Sequence, residues 1–375
     1  MKKIGILGGT FDPVHIEHVR LATESVKELG LDLLLVMPTF LPPHKSDFPT
    51  DAIHRLNMLK LAFEPFDKIA VSDYEILKRE KSYTYLTVEH FKSVYPEAEL
   101  YFIVGGDMLT DFKTWKNPDR ILNCCTLAVF DREDFYTDFE SERDYFSKTF
   151  GRSFIKLAYV GKHYSATKVR VYSALDLDIF DEVPQGVGEY IKENRLYNGG
   201  SACEFVKTVL PKKRLIHTAN VAVTALKKVK ELGLDKEQVF NAAIYHDCAK
   251  YLDPANFKDF KVDPDMPKPV IHAFLGAHIL ENVLKIQDEE VIDAVRYHTT
   301  GKANMSTLSK LIFLADMLEE GRDYEGVEML RQLYERNFDL CFKTALKEEV
   351  IHLENKGGKI YYETLNALKY YTENR

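Results

Sequence analysis

The 375 residues include one tryptophan, five cysteines and no apolar run of the roughly 20 residues that a membrane-spanning helix needs, so neither a transmembrane chain nor a membrane partner is expected. The opening Met1-Lys2-Lys3-Ile4-Gly5 leads straight into a strand pattern, without the apolar core and small-residue cleavage site of a signal peptide; the cytoplasm is the expected compartment. The cysteines (Cys124, Cys125, Cys203, Cys248 and Cys341) are odd in number and lack CxxC spacing, which excludes a disulfide framework and a thiolate zinc site. Positive charge is in deficit as well. Lys and Arg total 50 against 58 Asp and Glu, and the net charge of -8 argues against nucleic acid as a partner, because a phosphate-backbone footprint needs concentrated positive charge. What is present, 45% hydrophobic and 29% charged residues over a length beyond the reach of one core, describes an ordinary folded chain of two domains.

The two halves differ in periodicity. Short apolar runs at residues 3–7, 33–37, 69–72, 100–104, 126–130 and 154–160 alternate with helical stretches, which predicts a parallel sheet covered by helices. Asn198-Gly199-Gly200-Ser201 interrupts helical character, so a first domain over residues 1–197 and a second over 203–375 are expected. Beyond the break, Ala222, Ala225, Leu226 and Val229, then Val291, Ala294 and Val295, recur at the spacing of one helical face; the second half reads as all-α. Residues 254–269, with four prolines, are expected to form a loop.

The first apolar run ends in Gly8-Gly9-Thr10-Phe11-Asp12-Pro13-Val14-His15-Ile16-Glu17-His18. Glycines beside a helix start suit a phosphate, since Gly-rich backbone approaches it closely and the free N–H groups of a helix N-terminus attract anions. The spacing matches neither GxxxxGK[ST] nor GxGxxG, so the P-loop and dinucleotide readings fail. His15 and His18, three apart, share a helical face and could both donate to a triphosphate.

GGTFDPxHxxH resembles the signature of the Rossmann-like nucleotidyltransferases with a HxGH motif. Leu41-Pro42-Pro43-His44-Lys45, Ser82-Tyr83-Thr84-Tyr85, Gly105-Gly106-Asp107, Trp115 and Ser165-Ala166-Thr167-Lys168-Val169-Arg170 are similar to bacterial nicotinate-nucleotide adenylyltransferases. The resemblance covers nearly all of residues 1–197. It implies that His15, His18, Lys45, Ser165 and Arg170 surround the phosphates of ATP, that Gly8, Gly9, Thr10 and Phe11 line the ATP site, and that Asp107 holds the ribose. It also implies Mg²⁺ with ATP, and nicotinate mononucleotide bound by Thr84, Tyr85 and a stacking Trp115. In-line attack on the α-phosphorus of ATP needs positioning and charge neutralisation rather than a covalent nucleophile, which agrees with these residue types. One departure stands out: Glu17 replaces the family's glycine between the histidines, and a carboxylate turned toward triphosphate would repel it.

The second half contains His217, His246-Asp247, His272, His298 and Asp316. Asp247 falls on the face of Phe240, Ala243 and Ile244, Asp316 follows Ile312 by four, and His298 shares a face with Val291, Ala294 and Val295, so all three are expected to be buried. A buried charge must be neutralised by a cation, and a metal is one; pairing of an aspartate with Arg296 or Lys310 is another. The order H, HD, H, H, D, with Tyr297-His298-Thr299-Thr300-Gly301 and Gly321-Arg322-Asp323, resembles the HD-domain phosphohydrolases that cleave bis(5'-nucleosyl)-tetraphosphates symmetrically, over about residues 205–365. The resemblance implies dinucleoside tetraphosphate as substrate and two divalent metals, iron by analogy with the family, bridged by Asp247: one with His217, His246 and Asp316, the other with His272 and His298. Imidazole and carboxylate ligands without thiolate suit iron, manganese or zinc. Lys250, one helical turn after His246, is expected to take part in catalysis by contacting a substrate phosphate, with Thr300 and Arg322 as weaker candidates; His278, six residues beyond His272, is expected to be structural, an exchange of roles between the two being the alternative.

The leading reading is therefore two enzymes in one chain. Its rivals are an HD half that binds nucleotide and regulates without catalysis, and a first half that adenylylates another acceptor. Nicotinate against nicotinamide preference and self-association stay open at this stage.

Overall fold

The computed structural model describes residues 1–41, 50–133, 135–162 and 164–373. All six apolar runs form strands: β1 (Lys3–Gly9), β2 (Leu33–Pro38), β3 (Ile69–Val71), β4 (Glu99–Gly105), β5 (Thr126–Arg132) and β6 (Ile155–Gly161). They make one parallel sheet in the order β3-β2-β1-β4-β5-β6. Its inner strands are buried at residues of either parity, as in sheets covered by helices on both faces: Ile4, Ile6 and Leu7 on β1, Leu34 to Met37 on β2. The helices are α1 (Ile16–Leu29), α2 (Ala52–Phe63), α3 (Tyr74–Lys78), α4 (Thr84–Val94), α5 (Gly106–Asp111), α6 (Pro118–Cys124), α7 (Phe139–Phe150), α8 (Ala166–Ala174) and α9 (Gln185–Glu193). Strand order reverses between β1 and β4, which opens a crevice beyond their carboxyl ends, the place where open α/β sheets bind ligands.

The second half is helical among the described residues: α10 (Gly200–Val209), α11 (Lys212–Leu226), α12 (Val229–Leu232), α13 (Lys236–Tyr245), α14 (Lys268–Asn282), α15 (Glu289–Tyr297), α16 (Thr307–Leu318), α17 (Val327–Arg336), α18 (Phe338–Asn355) and α19 (Tyr362–Glu373). One core joins Ala222, Ala243, Ile244, Val295, Ile312 and Phe342. A Cβ on Gly276 of α14 would stand 3.2 Å from Val295 and 3.4 Å from Cys248, so the glycine admits the close approach of α14 to α15 and to the turn after α13. The proline-rich stretch is a loop with a 3-10 turn at Pro254–Asn256, but its last two residues, Lys268 and Pro269, already open α14. Proline is tolerated there because first-turn N–H groups have no helical partner.

The chain divides into two compact units, Met1–Val169 with Asp178–Leu196, and Arg170–Leu177 with Tyr197–Arg375. The division is not a single cut: Val171, Ala174, Leu175 and Leu177 belong to the helical core. No helix among the described residues is long and apolar enough to cross a membrane.

Candidate active sites

In the first unit, β1 ends at Gly9 and the chain turns through Thr10 to Pro13 before His15 caps α1. A Cβ on Gly9 would lie 2.9 Å from the Phe11 ring, so glycine is what lets that buried ring fold back over the strand end. The backbone N–H of His15 donates to Nδ1 of His18 at 3.1 Å; this nitrogen is therefore an acceptor, and the ring's proton sits on Nε2. The two imidazoles stack with centroids 3.6 Å apart, and Phe11 meets His18 edge-on at 4.9 Å. Burial lowers the pKa of His15 to about 4, with help from the Arg132 guanidinium at the end of β5. Burial, then His15, then Arg132 hold His18 well below the usual histidine range. Both rings are neutral at pH 7 and offer N–H donors rather than charge.

Glu17 faces away from this turn. Its carboxylate accepts the Tyr159 hydroxyl and the Lys162 backbone N–H (2.8 Å), and Arg20 lies 3.6 Å from its other oxygen. β6 and Lys162, which follows it, supply donors for the carboxylate on the opposite side of α1 from the turn.

Asp107 stands in the first turn of α5, 3.5 Å from Arg132, on the strand-end crevice. Ser165 precedes α8 and its hydroxyl accepts the Lys168 N–H at 3.4 Å; Arg170 lies further along α8. Lys45 lies outside the described residues. Thr84 opens α4, and the Arg120 guanidinium covers the Tyr85 ring at 4.4 Å. Trp115 is half-buried against Phe112 (5.2 Å) and Phe102 (6.2 Å), packed on the same core as Tyr85.

In the second unit, His217 projects from α11, His246 and Asp247 follow α13, His272 lies on α14, His298 ends α15, and Asp316 lies on α16. The ligand atoms of His217, His246 and Asp247 fall within 4.8 Å of one another, and so do those of Asp247, His272 and His298. Asp247 serves both groups: Oδ2 lies 3.6 Å from His246 Nε2 and 3.8 Å from His217 Nε2, while Oδ1 lies 2.9 Å from His272 and 3.6 Å from His298. Asp316 Oδ1 is 3.0 Å from His217 Nε2.

Two observations test whether this cluster fits metal. Buried Asp247 Oδ1 makes no hydrogen bond among the described residues, although imidazole nitrogens surround it. The Nε2 atoms also face each other in pairs, His217 with His246 at 3.3 Å and His272 with His298 at 3.2 Å. Converging lone pairs repel unless a proton or cation lies among them, and two divalent ions would satisfy every one. The electrostatics agree. Burial lowers His246 to about 3 and lowers His272, whereas Asp247, despite burial, is held well below the carboxylate range by His246, His272 and His298. Burial also disfavours charge on His217, but Asp316 and Glu319 outweigh it and raise that ring's pKa.

Asp247 and His298 are buried as anticipated, but Asp316 keeps 18% of its side chain accessible. It sits at the rim of the helix packing, where its carboxylate meets His217 and the part-exposed Arg322 rather than the apolar core. The cationic partners of the aspartates also differ from expectation. Arg296 pairs with Glu281 and Asp293, and Lys310 with Asp339, whereas Arg214 lies 2.8 Å from Asp247 and Arg322 contacts Asp316. Lys250 Nζ lies 3.6 Å from Asp247 and 3.1 Å from His272. Thr300 is buried beside His298 in sequence, and His278 packs on Phe260 and meets Asn282.

Residues 6–171 match the cytidylyltransferase-like family and residues 214–321 the HD domain. A Clostridium botulinum protein named probable nicotinate-nucleotide adenylyltransferase is 41% identical over 201 residues, 52% of this chain and 98% of its own. The chain belongs to the nicotinate-nucleotide adenylyltransferase family. Its second half is an HD domain, and two relatives share the whole arrangement. Proteins of Mycoplasma genitalium and Mycoplasma pneumoniae, both named probable nicotinate-nucleotide adenylyltransferase/Ap4A hydrolase, are 29% identical over 92% and 91% of this chain and 97% of their own.

Besides Arg214, three contributors in this adenylyltransferase family member escaped the sequence reading. Arg132 sets the charge beside His15, His18 and Asp107; its place at the carboxyl end of β5, next to β4, is the signal that would have found it. Arg55 is 1% exposed and donates to the carbonyls of Thr10, Thr39, Phe40 and Thr50, binding the loops after β1 and β2 to the start of α2. Glu319 accepts from His217 Nδ1 (3.0 Å), Asn220 (3.0 Å) and the Gly321 N–H (2.6 Å), which orients a ligand-type histidine from behind.

Proposed function

We propose that the first half transfers the adenylyl group of ATP to nicotinate mononucleotide, giving deamido-NAD and pyrophosphate. We further propose that the second half hydrolyses diadenosine tetraphosphate symmetrically to two ADP. The observation that carries the second reading is the shared carboxylate: Asp247 lies between two imidazole pairs. The Mycoplasma relatives, named for both activities along nearly their full length, support the combination.

In the first reaction a phosphate oxygen of the mononucleotide forms the new bond to the α-phosphorus of ATP as the bond to pyrophosphate breaks. His18 donates from Nε2 to a phosphate oxygen, and His15 stacks against it to fix the ring. Arg170, Ser165 and Lys45 complete the phosphate surround, Gly8 to Phe11 shape it, Asp107 holds the ribose, and Thr84, Tyr85 and Trp115 receive the nicotinate. Mg²⁺ accompanies ATP.

In the second, His217, His246 and Asp316 would hold one divalent metal and His272 and His298 the other, with Asp247 shared; iron suits these ligands. Such ions lower the pKa of water and neutralise phosphate charge when bound. Lys250, Arg214 and Arg322 bring cations to the same place, where they orient the polyphosphate for in-line attack by water.

The test is product analysis of the intact chain with diadenosine tetraphosphate, with and without Fe²⁺ or Mn²⁺. ADP alone, dependent on metal, is expected. AMP with ATP would make the cleavage asymmetric, and tight binding without turnover would favour a regulatory HD half. Parallel assays with nicotinate mononucleotide, nicotinamide mononucleotide and phosphopantetheine fix the acceptor.

A further inference from the structure

Glu75 lies on α3, outside the motifs of both sites, and is only 9% exposed. Burying a carboxylate is costly unless hydrogen bonds or a nearby cation compensate it. Oε1 accepts the hydroxyl of Thr87 at 2.6 Å, and Thr87 is itself 2% exposed in the first turn of α4. Burial raises the Glu75 pKa, and the hydroxyls of Ser82 and Thr87, with the Lys78 ammonium, oppose that rise.

Ser82 leads onward. Its hydroxyl accepts the Phe40 N–H at 3.0 Å, its own N–H donates to the Leu41 carbonyl at 3.0 Å, and Leu41 bridges Lys81 in parallel. Glu75 thus stands where two segments meet: the loop leaving β2, and the first turn of α4, whose leading N–H groups at Thr84 and Tyr85 have no carbonyl behind them in the helix.

We propose that Glu75 is a positioning residue for the acceptor nucleotide, setting the first turn of α4 against the loop after β2 so that Thr84 and Tyr85 present their N–H groups to the acceptor's ring substituent. The proposal rests on the reading that the first half binds nicotinate mononucleotide. It differs from a merely structural role in its selectivity. Thr84 and Tyr85 lie on the acceptor side, whereas His15 and His18 are fixed by their own turn.

The experiment compares Glu75→Ala, Glu75→Gln and Thr87→Val in the full chain, varying ATP and nicotinate mononucleotide separately. Loss of this buried hydrogen bond predicts that Glu75→Ala and Thr87→Val raise KM for the mononucleotide on the order of tenfold, with KM for ATP within about twofold. Glu75→Gln keeps an acceptor for Thr87 and recovers most of the loss. Equal changes in both KM values, or an unchanged mononucleotide KM, would overturn the proposal. Thr87→Val keeps the test decisive should Glu75→Ala fail to fold. If the wild-type chain adenylylates a different acceptor, the substrate reading fails, while the same split in KM for that acceptor supports the role of Glu75.

Discussion

His246 and His298 are held in the same way: each follows the last turn of its helix, and each Nδ1 lies 2.7 Å from the carbonyl oxygen three residues back, Ala243 for one and Val295 for the other. A carbonyl only accepts, so Nδ1 carries the proton and the Nε2 lone pair is turned toward Asp247. Two helix ends thereby present equivalent ligands on either side of one carboxylate.

That arrangement predicts metal stoichiometry. His298→Ala removes a ligand from one group only and should leave about one ion per chain where the parent holds about two, whereas Asp247→Ala should lose both. Elemental analysis of purified protein reads the difference without any assay of activity.

Glu319 fixes the His217 ring through Nδ1, and Asn220 and Gly321 hold Glu319 in turn. Glu319→Ala frees the ring to turn and should weaken divalent-metal affinity about 10–100-fold while leaving ATP binding in the first unit unchanged. Calorimetric titration with Mn²⁺ measures it.

Histidine burial in the first unit makes its stability depend on pH. The folded pKa of His15 is about 4 against 6.5 when free, so between those values the unfolded chain binds a proton that the folded chain does not. Stability is full above pH 6.5 and is lost as pH falls toward 4, by about 2 kcal/mol at pH 5 from this ring. Urea unfolding followed by Trp115 fluorescence should show that slope, and His15→Gln should reduce it, with buried His18 keeping the remainder.

Glu17 bonds to β6 rather than to the phosphate turn. Glu17→Ala should destabilise the first unit by about 1–3 kcal/mol in the same unfolding measurement, with KM for ATP within about twofold of the parent. A large gain in ATP affinity would mean that the carboxylate reaches the phosphates after all.

Much of this was legible in the sequence, and the reason is periodicity. Six apolar runs of strand length, alternating with helical stretches, read as a covered parallel sheet, and helical spacing placed Asp247 and His298 among apolar neighbours. Partners distant in sequence were not legible. Nothing local ties Glu17 to Tyr159, Arg214 to Asp247 or Glu319 to His217, and helical spacing alone put Asp316 inside when it lies at the rim. Nothing in the sequence marks Arg55 either, yet four carbonyls from separate loops make it a core residue. The course of α8 was equally hidden: its later residues are apolar, but which core they join is decided by the packing of α10 and α11.

Each half has its own chemistry, and paired single substitutions separate the two. In the intact chain, His18→Ala should lower adenylyl transfer to nicotinate mononucleotide about 10²–10³-fold and spare metal-dependent release of ADP from diadenosine tetraphosphate, and Asp247→Ala should do the reverse. Loss of both reactions from either substitution, in protein that remains folded, would contradict the account.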